Sequence, residues 1–196
     1  MIVINDREKL SEVCEPCESV EEGEKIGAQL LKELTDNKNG VGLAANQIGI
    51  NKRVCVVNVK EPIVFVNPKI VDRSKEAFVG PEACLSFPNT MIKTVRHLTI
   101  EVESDNHPGK MVFTADSEDM DMALECACVQ HEIDHLDGIT MFDRQFRQQP
   151  IKRGVNAPLK IGRNEKVKIE KGSESKTIKY KKAQSLLEDG WTLVGQ

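Results

Sequence analysis

The chain has 196 residues, a formal net charge of −4, 39% hydrophobic and 30% charged residues, and only 4% aromatics. This length fits one ordinary domain with a small appendage, and the hydrophobic content excludes disorder throughout, leaving an interior of Val, Ile, Leu, Ala and Met. No apolar run approaches the ~20 residues that span a bilayer, and the start MIVINDREKL lacks the pattern of a secretory leader, so a cytoplasmic protein with no membrane partner is expected.

In chain order, residues 20–36 place Ile26, Leu30, Leu31 and Leu34 at helical spacing with acids in the first turn, which predicts an amphipathic surface helix. Segments 52–59 and 63–71 are rich in β-branched residues and predict strands, the second interrupted by Asn67-Pro68. An imperfect alternation of Val95, Leu98, Ile100 and Val102 predicts a strand over 95–103. A turn at 106–109 and a return strand over 110–114 follow. Residues 119–137 carry the strongest helical pattern, closed by Gly138 at the left-handed C′ position. Strands between two helices indicate an α+β fold rather than alternating βαβ units.

After Phe146 the texture changes. Pro150, Gly154, Pro158 and Gly162 mark a linker over 147–162, and 163–196 form a small basic C-terminal extension. Two strand-like runs, 165–171 and 175–181, join at Gly172-Ser173 into a hairpin, followed by a short helix over 181–189. Residues 147–182 hold 12 Lys/Arg against 3 Glu, a net +9, while the remainder holds 15 against 28, a net −13. Such a block suits an acidic partner or a plain solvated surface.

Chemistry concentrates in His131-Glu132-Ile133-Asp134-His135. On a helix, residues i and i+4 stand one above the other, so both imidazoles can grip one ion while Glu132 reaches a water at its open position. Leu124, Cys128, His131 and His135 follow a single stripe, so the histidines continue an inward-facing surface. A third ligand must come from elsewhere. His97, in a strand-like run, and His107, beside Pro108, read as ordinary satisfied or surface histidines. Cys84 sits in the irregular stretch 82–88 and is the better candidate. Spacing alone favours Zn²⁺ at a Cys/His₂ site without excluding Fe²⁺. Cys14 and Cys17 have CxxC spacing but no second such pair, and read as two unpaired thiols. With no leader expected, the six cysteines, Cys55 among them, read better as buried thiols or metal ligands than as disulfides.

The chain resembles the peptide deformylase family through three motifs in order: Gly40-Val41-Gly42-Leu43-Ala44-Ala45-Asn46-Gln47, Glu82-Ala83-Cys84-Leu85-Ser86 and Gln130-His131-Glu132-Ile133-Asp134-His135. The resemblance covers roughly residues 3–146 and gives a catalytic domain over 1–146. It implies antiparallel sheets packed around a central HExxH-bearing helix. It also implies that Cys84, His131 and His135 bind the metal, that Glu132 is the general acid/base, and that Gln47 and the Leu85 amide stabilise the oxyanion. The native ion is then Fe²⁺, with Zn²⁺, Ni²⁺ or Co²⁺ as substitutes. The substrate is the N-formylmethionyl end of a nascent polypeptide. Gly40 and Gly42 let a substrate backbone approach, and Val41, Leu43, Leu124 and Cys128, with small Ala127, line an apolar pocket for its methionine.

Ala83 stands where the family carries Gly, and would be strained if that position needed positive φ. Glu82 and Arg96 are expected to pair and hold the Cys84 loop, with Asp134 orienting a neighbour. The extension departs from the family and is expected to bind an acidic partner such as the ribosome or its RNA. Two rival readings stand beside this one. A zinc peptidase would take its third ligand downstream, where only Glu165, Glu170, Glu174 and Glu188 are on offer, and an inactive module would keep the fold and act through its tail.

Overall fold

Asp6 accepts the amides of Glu8 and Lys9 and so starts a short helix, α1 (Arg7–Leu10). Ser19 caps α2 (Val20–Asp36) by accepting the Glu22 amide, and Glu22 reaches back to the Glu18 amide. The computed structural model describes residues 4–37, 40–147 and 163–194, and the chain divides into two compact units, Met1–Arg147 and Gln148–Gln196.

In the first unit, α2 lies on an antiparallel sheet of β1 (Gly42–Ala44), β2 (Val54–Asn58) and β3 (Pro62–Val66), in the order β1-β2-β3. The buried stripe of α2 is Gly23, Gly27, Leu30 and Leu34, while the predicted Ile26 and Leu31 flank it. The two glycines set the distance of approach. A Cβ on Gly23 would lie 2.3 Å from Val66, and one on Gly27 would lie 2.2 Å from Val64.

A second antiparallel sheet has the order β4 (Lys69–Arg73), β7 (Thr99–Ser104), β8 (His107–Thr114), and β5 (Ala77–Cys84) pairs with β6 (Phe87–His97) as a long hairpin. Segment 63–71 is broken at Asn67-Pro68, as expected, and the two strands lie in different sheets, because Asn67 adopts the left-handed conformation (φ 52) and is pinned by hydrogen bonds with the Cys17 backbone and Asp105. Two predicted boundaries are corrected. Segment 95–103 is likewise split at Leu98, since the Gln130 side chain bonds both the N–H and the C=O of His97 and ends β6 there. The turn expected at 106–109 lies at Asp105-Asn106, where the Asn106 side chain accepts the Val66 amide and donates to the Val64 carbonyl. Pro108 is accommodated in β8, an edge strand that can spare its N–H.

Helix α3 (Met120–Leu136) is capped by Asp119, which accepts the amides of Asp121 and Met122. Every residue from Cys128 to Leu136 is buried, so this end of the helix is apolar or paired all round and sits centrally. It packs on β1, β2 and β8, with Val129, Ile133 and Leu136 meeting Phe65, Ile100 and Phe113 in the main core. Gly138 follows at φ +71, and a Cβ there would lie 2.4 Å from the Ser11 carbonyl oxygen. The C′ glycine is therefore required by conformation and by space. No helix among the described residues is long and apolar enough to cross a membrane.

The second unit contains β9 (Lys166–Lys171), β10 (Glu174–Lys179), α4 (Tyr180–Glu188) and β11 (Thr192–Leu193), with sheet order β10-β9-β11. Val167, Ile169, Ala183 and Trp191 form its core. Residues 148–162, which hold nearly all of the predicted linker, lie outside the described residues.

Candidate metal centre

Three elements converge on one cleft of about 530 Å³: the Gly-rich segment entering β1, the β5–β6 hairpin turn, and the buried half of α3. Cys84 is the last residue of β5. The register slips between Ala83 and Cys84, so that Cys84 pairs with Phe87 across the turn Leu85-Ser86. The irregularity seen in sequence over 82–88 is thus a bulged hairpin, not a loop, and Asn89 at φ 62 completes it. Ala83 is not among the residues of positive φ, and it pairs with Met91 as ordinary strand, so the strain considered for it is absent.

The ligating atoms of Cys84, His131 and His135 all lie within 4.8 Å of one another, and all three residues are buried. His97 and His107 are elsewhere, with ring nitrogens on the carbonyls of Ser74 and Val64. Cys84 Sγ is 3.3 Å from His135 Nε2. Tetrahedral coordination at ~2.3 Å from sulfur and ~2.0 Å from nitrogen would separate such donors by roughly 3.5 Å, so the set fits a small divalent cation. Two buried atoms beside it, Glu132 Oε2 and His135 Nδ1, have no partner. Burial, reinforced by the charges of His131 and Arg96, drives the His135 imidazole well below its usual range, which keeps it neutral and able to ligate. Burial also pushes the Glu132 carboxyl up to about 7, against the opposing attraction of His131.

Behind these groups runs a buried chain of charges. His131 Nδ1 stands 3.0 Å from Glu82 Oε2, the arrangement that fixes the orientation of a ligating ring. Arg96 donates to both oxygens of Glu82, at 2.5 and 2.9 Å, and through its other nitrogen to Asp134. Arg144 closes the chain with two bonds to Asp134. Burial opposes the charge on Glu82, but Arg96 and His131 hold its carboxyl well below the usual carboxylate range. The Glu82–Arg96 pair is the one anticipated from sequence. Arg144, downstream of the helix, carried no recognisable signal.

Gln47 is buried in the 3-10 turn Ala45–Ile48. Its Oε1 accepts the Ala44 amide at 2.8 Å, which turns Nε2 toward Ser86 Oγ (3.1 Å) and Cys84 Sγ (3.5 Å). Gly40, Val41, Gly42, Leu85, Leu124, Ala127 and Cys128 line the cleft with Glu132, and Leu124 is half-exposed. Gly42 does more than admit a substrate backbone: a Cβ there would lie 2.4 Å from Glu132 Oε1 and 2.6 Å from Cys128 Sγ. Leu43 departs from expectation. It points into the core formed with Leu30, Leu34 and Val54, because successive residues of β1 alternate between faces. Pro88 and Asn89 also line the cleft and were not anticipated. Asn46, whose Nδ2 donates to the His135 carbonyl, and Ser86 were quoted in motifs but given no role. Cys14, Cys17 and Cys55 are free, buried thiols, and the first two belong to different core clusters.

An HExxH helix set on antiparallel sheets, with a cysteine completing a cluster of three potential donors, is a candidate metal site of the hydrolase type. The family pattern for polypeptide deformylases matches residues 1–150, and the chain belongs to the peptide deformylase family. It is 37% identical over 141 residues to the peptide deformylase of Rhizobium meliloti, covering 68% of this chain and 78% of that one. It is 43% identical over 130 residues to that of Natranaerobius thermophilus, covering 62% and 80% respectively. The fold matches the crystal structure of the Thermotoga maritima peptide deformylase with a TM-score of 0.66 at 28% identity, over 75% of this chain and 97% of that one. The Synechococcus elongatus enzyme in complex with actinonin matches with a TM-score of 0.65 at 27% identity, over 76% and 79%.

Proposed function

We propose that the chain is a metal-dependent peptide deformylase that hydrolyses the N-formyl group of formylmethionyl peptides, releasing formate and a free amino terminus. The observation that carries this reading is the buried Cys84, His131 and His135 cluster, with Glu132 in the same cleft, in a chain of this family. Cys84, His131 and His135 would hold a divalent cation. When bound, that ion supplies a Lewis acid for the formyl oxygen and lowers the pKa of water beside it. The resemblance to the family supports Fe²⁺ as the native ion, with Zn²⁺, Ni²⁺ and Co²⁺ as substitutes, whereas the Cys/His₂ donor set by itself favours Zn²⁺.

The remaining work falls to the chain itself. Glu132 takes a proton from the attacking water and returns it to the departing amine, and a carboxyl raised to about 7 is suited to both halves of that cycle. Gln47 Nε2 and the Leu85 N–H offer hydrogen bonds to the oxygen on which charge grows, a donor of this kind being worth ~3 kcal/mol of barrier. The Ala44 amide fixes the orientation of Gln47 in advance. Gly40, Val41 and Gly42 form one wall for the peptide backbone, and Leu124, Ala127 and Cys128 form the apolar wall for an unbranched side chain.

A zinc peptidase with a downstream glutamate loses support, because among the described residues the cluster of potential ligands uses Cys84 instead. The deciding experiment measures formate release from formyl-Met-Ala by anaerobically purified protein, its Glu132→Ala variant and its Cys84→Ser variant, with metal content determined on each. Turnover by the parent, abolished in the first variant with metal retained and in the second with metal lost, is expected. Turnover that survives Glu132→Ala, or metal content unchanged in Cys84→Ser, overturns the assignment. We further propose that the enzyme works in the cytoplasm on nascent chains, and that its basic extension contacts ribosomal RNA.

A further inference from the structure

The C-terminal unit is often cationic where its fold would be more stable without the charge, and the charges are sorted by end. At the hairpin end, the lysines are engaged: Lys168 pairs with Glu170, Lys176 with Glu174 and with the Trp191 ring, and Lys171 donates to the Asp189 carbonyl. The opposite end differs. Lys166 and Lys179 are direct cross-strand partners, placed on the face turned away from buried Val167 and Ile169, and like charges in that position repel. Lys179 is also the N-cap residue of α4, with Lys181 and Lys182 in a first turn that contains no acid. Cations there meet the positive end of the helix dipole.

These positions are held together by the backbone. The Lys181 amide donates to the Arg163 carbonyl at 3.0 Å and the Tyr180 amide to the Glu165 carbonyl at 2.8 Å, which closes the end of the unit. Arg163, Lys166, Lys179, Lys181 and Lys182 thus surround a single acid, Glu165, and all five are exposed. Among the described residues, none of the five takes part in an ion pair. Across residues 163–194 the excess is small, eight Lys/Arg against five Asp/Glu, so it is the sorting and not the total that creates a patch.

We infer that this end of the C-terminal unit is a docking surface for the phosphodiester backbone of single-stranded RNA. The inference deepens the reading of the extension given above and rests on it. Five closely spaced cations around one acid leave a local positive excess that matches a flexible chain carrying one negative charge per nucleotide. A lipid surface is the poorer match, because the only large exposed hydrophobic residue described in the unit is Leu193, paired with Ile169 away from the patch.

The test uses the full chain and a labelled oligo(U) strand, with binding followed by anisotropy across a potassium chloride series. Each phosphate neutralised on a single strand contributes about −0.7 to the slope of log K against log salt. The Lys166→Gln/Lys179→Gln variant is therefore expected to lower the magnitude of that slope by about 1.4, and the affinity with it. An equal charge change on α2, Lys25→Gln/Lys32→Gln, is expected to leave both unchanged. Trp191 is the chain's single tryptophan and lies in the core of this unit, so its fluorescence melt reports whether the unit stays folded. Formate release should be the same in all three proteins, which separates failure of the docking surface from failure of the catalytic assignment. An unchanged slope in a folded Lys166→Gln/Lys179→Gln variant, an equal loss in the α2 variant, or preferential capture by phosphatidylserine vesicles overturns the inference.

Discussion

Replacing Arg96 with Met would test whether the buried charge chain behind the metal centre holds the site together. Arg96 is 3% exposed and satisfies both oxygens of Glu82 and one of Asp134. Asp134 would still keep Arg144, but Glu82 would keep only the His131 ring. Removing one partner of a buried ion pair costs ~3–5 kcal/mol, chiefly because the other charge stays behind. For a chain of this size that is about 2–4 °C of melting temperature per kcal/mol, hence a fall of roughly 6–20 °C. The Glu82 carboxyl is held below its ordinary 4.5 in the fold. Its contribution is therefore present above that value and lost as pH falls through the lower folded value. The gap between variant and parent should be full at neutral pH and close in strong acid. A double-mutant cycle with Glu82→Gln should show coupling above ~1 kcal/mol. Metal affinity should also fall, by ~10–100-fold, because Glu82, which orients the His131 ring, is no longer anchored by Arg96. Calorimetric melts from acid to neutral pH, with metal titrations alongside, measure all of this. A Met variant that melts within a degree or two of the parent, or strict additivity in the cycle, would refute the reasoning.

Other substitutions probe separate features. Gly42→Ala puts a methyl group against Glu132 Oε1, so kcat should drop by about 100-fold while the melting temperature holds; full activity would show that Glu132 is not constrained there. In metal-free protein, Glu132→Gln should stabilise the fold at pH 8 by up to roughly 3 kcal/mol and make no difference near pH 4. The sign follows from a folded-state value raised above 4.5 to about 7, which favours the neutral acid; a variant less stable at both pH values would contradict it. Gly138→Ala combines a φ of +71 with a contact on the Ser11 carbonyl and should cost ~2 kcal/mol or more in urea unfolding, whereas a neutral result would mean the helix end can shift.

The long elements were legible because local rules governed them. Helices α2 and α3 follow from periodicity and caps, and they match within a residue. The candidate metal donors on α3 were legible for the same reason, since i, i+4 spacing is a local fact. Cys84 was singled out by the irregularity of 82–88, but its place in a motif, like that of Gln47, came from the family pattern, and no rule of spacing alone would have chosen either. Strand partners were far less legible. The side chains of Asn67, Asn106 and Gln130, the last acting on the His97 backbone, redirect the chain through bonds to residues about 30–50 positions away, and no window of sequence contains both partners.

The sequence by itself therefore determined the apolar helix stripes, the paired histidines, the acid between them and the charge asymmetry of the two ends, because each is a matter of residue type and short-range order. Tertiary structure alone decided that β1 turns Leu43 inward while Gly42 meets Glu132, that Ala83 sits in unstrained strand, and that five cations of the extension gather at one end. Each of those outcomes depends on which strands pair and in what register, and a shift of one residue there exchanges the two faces of a strand.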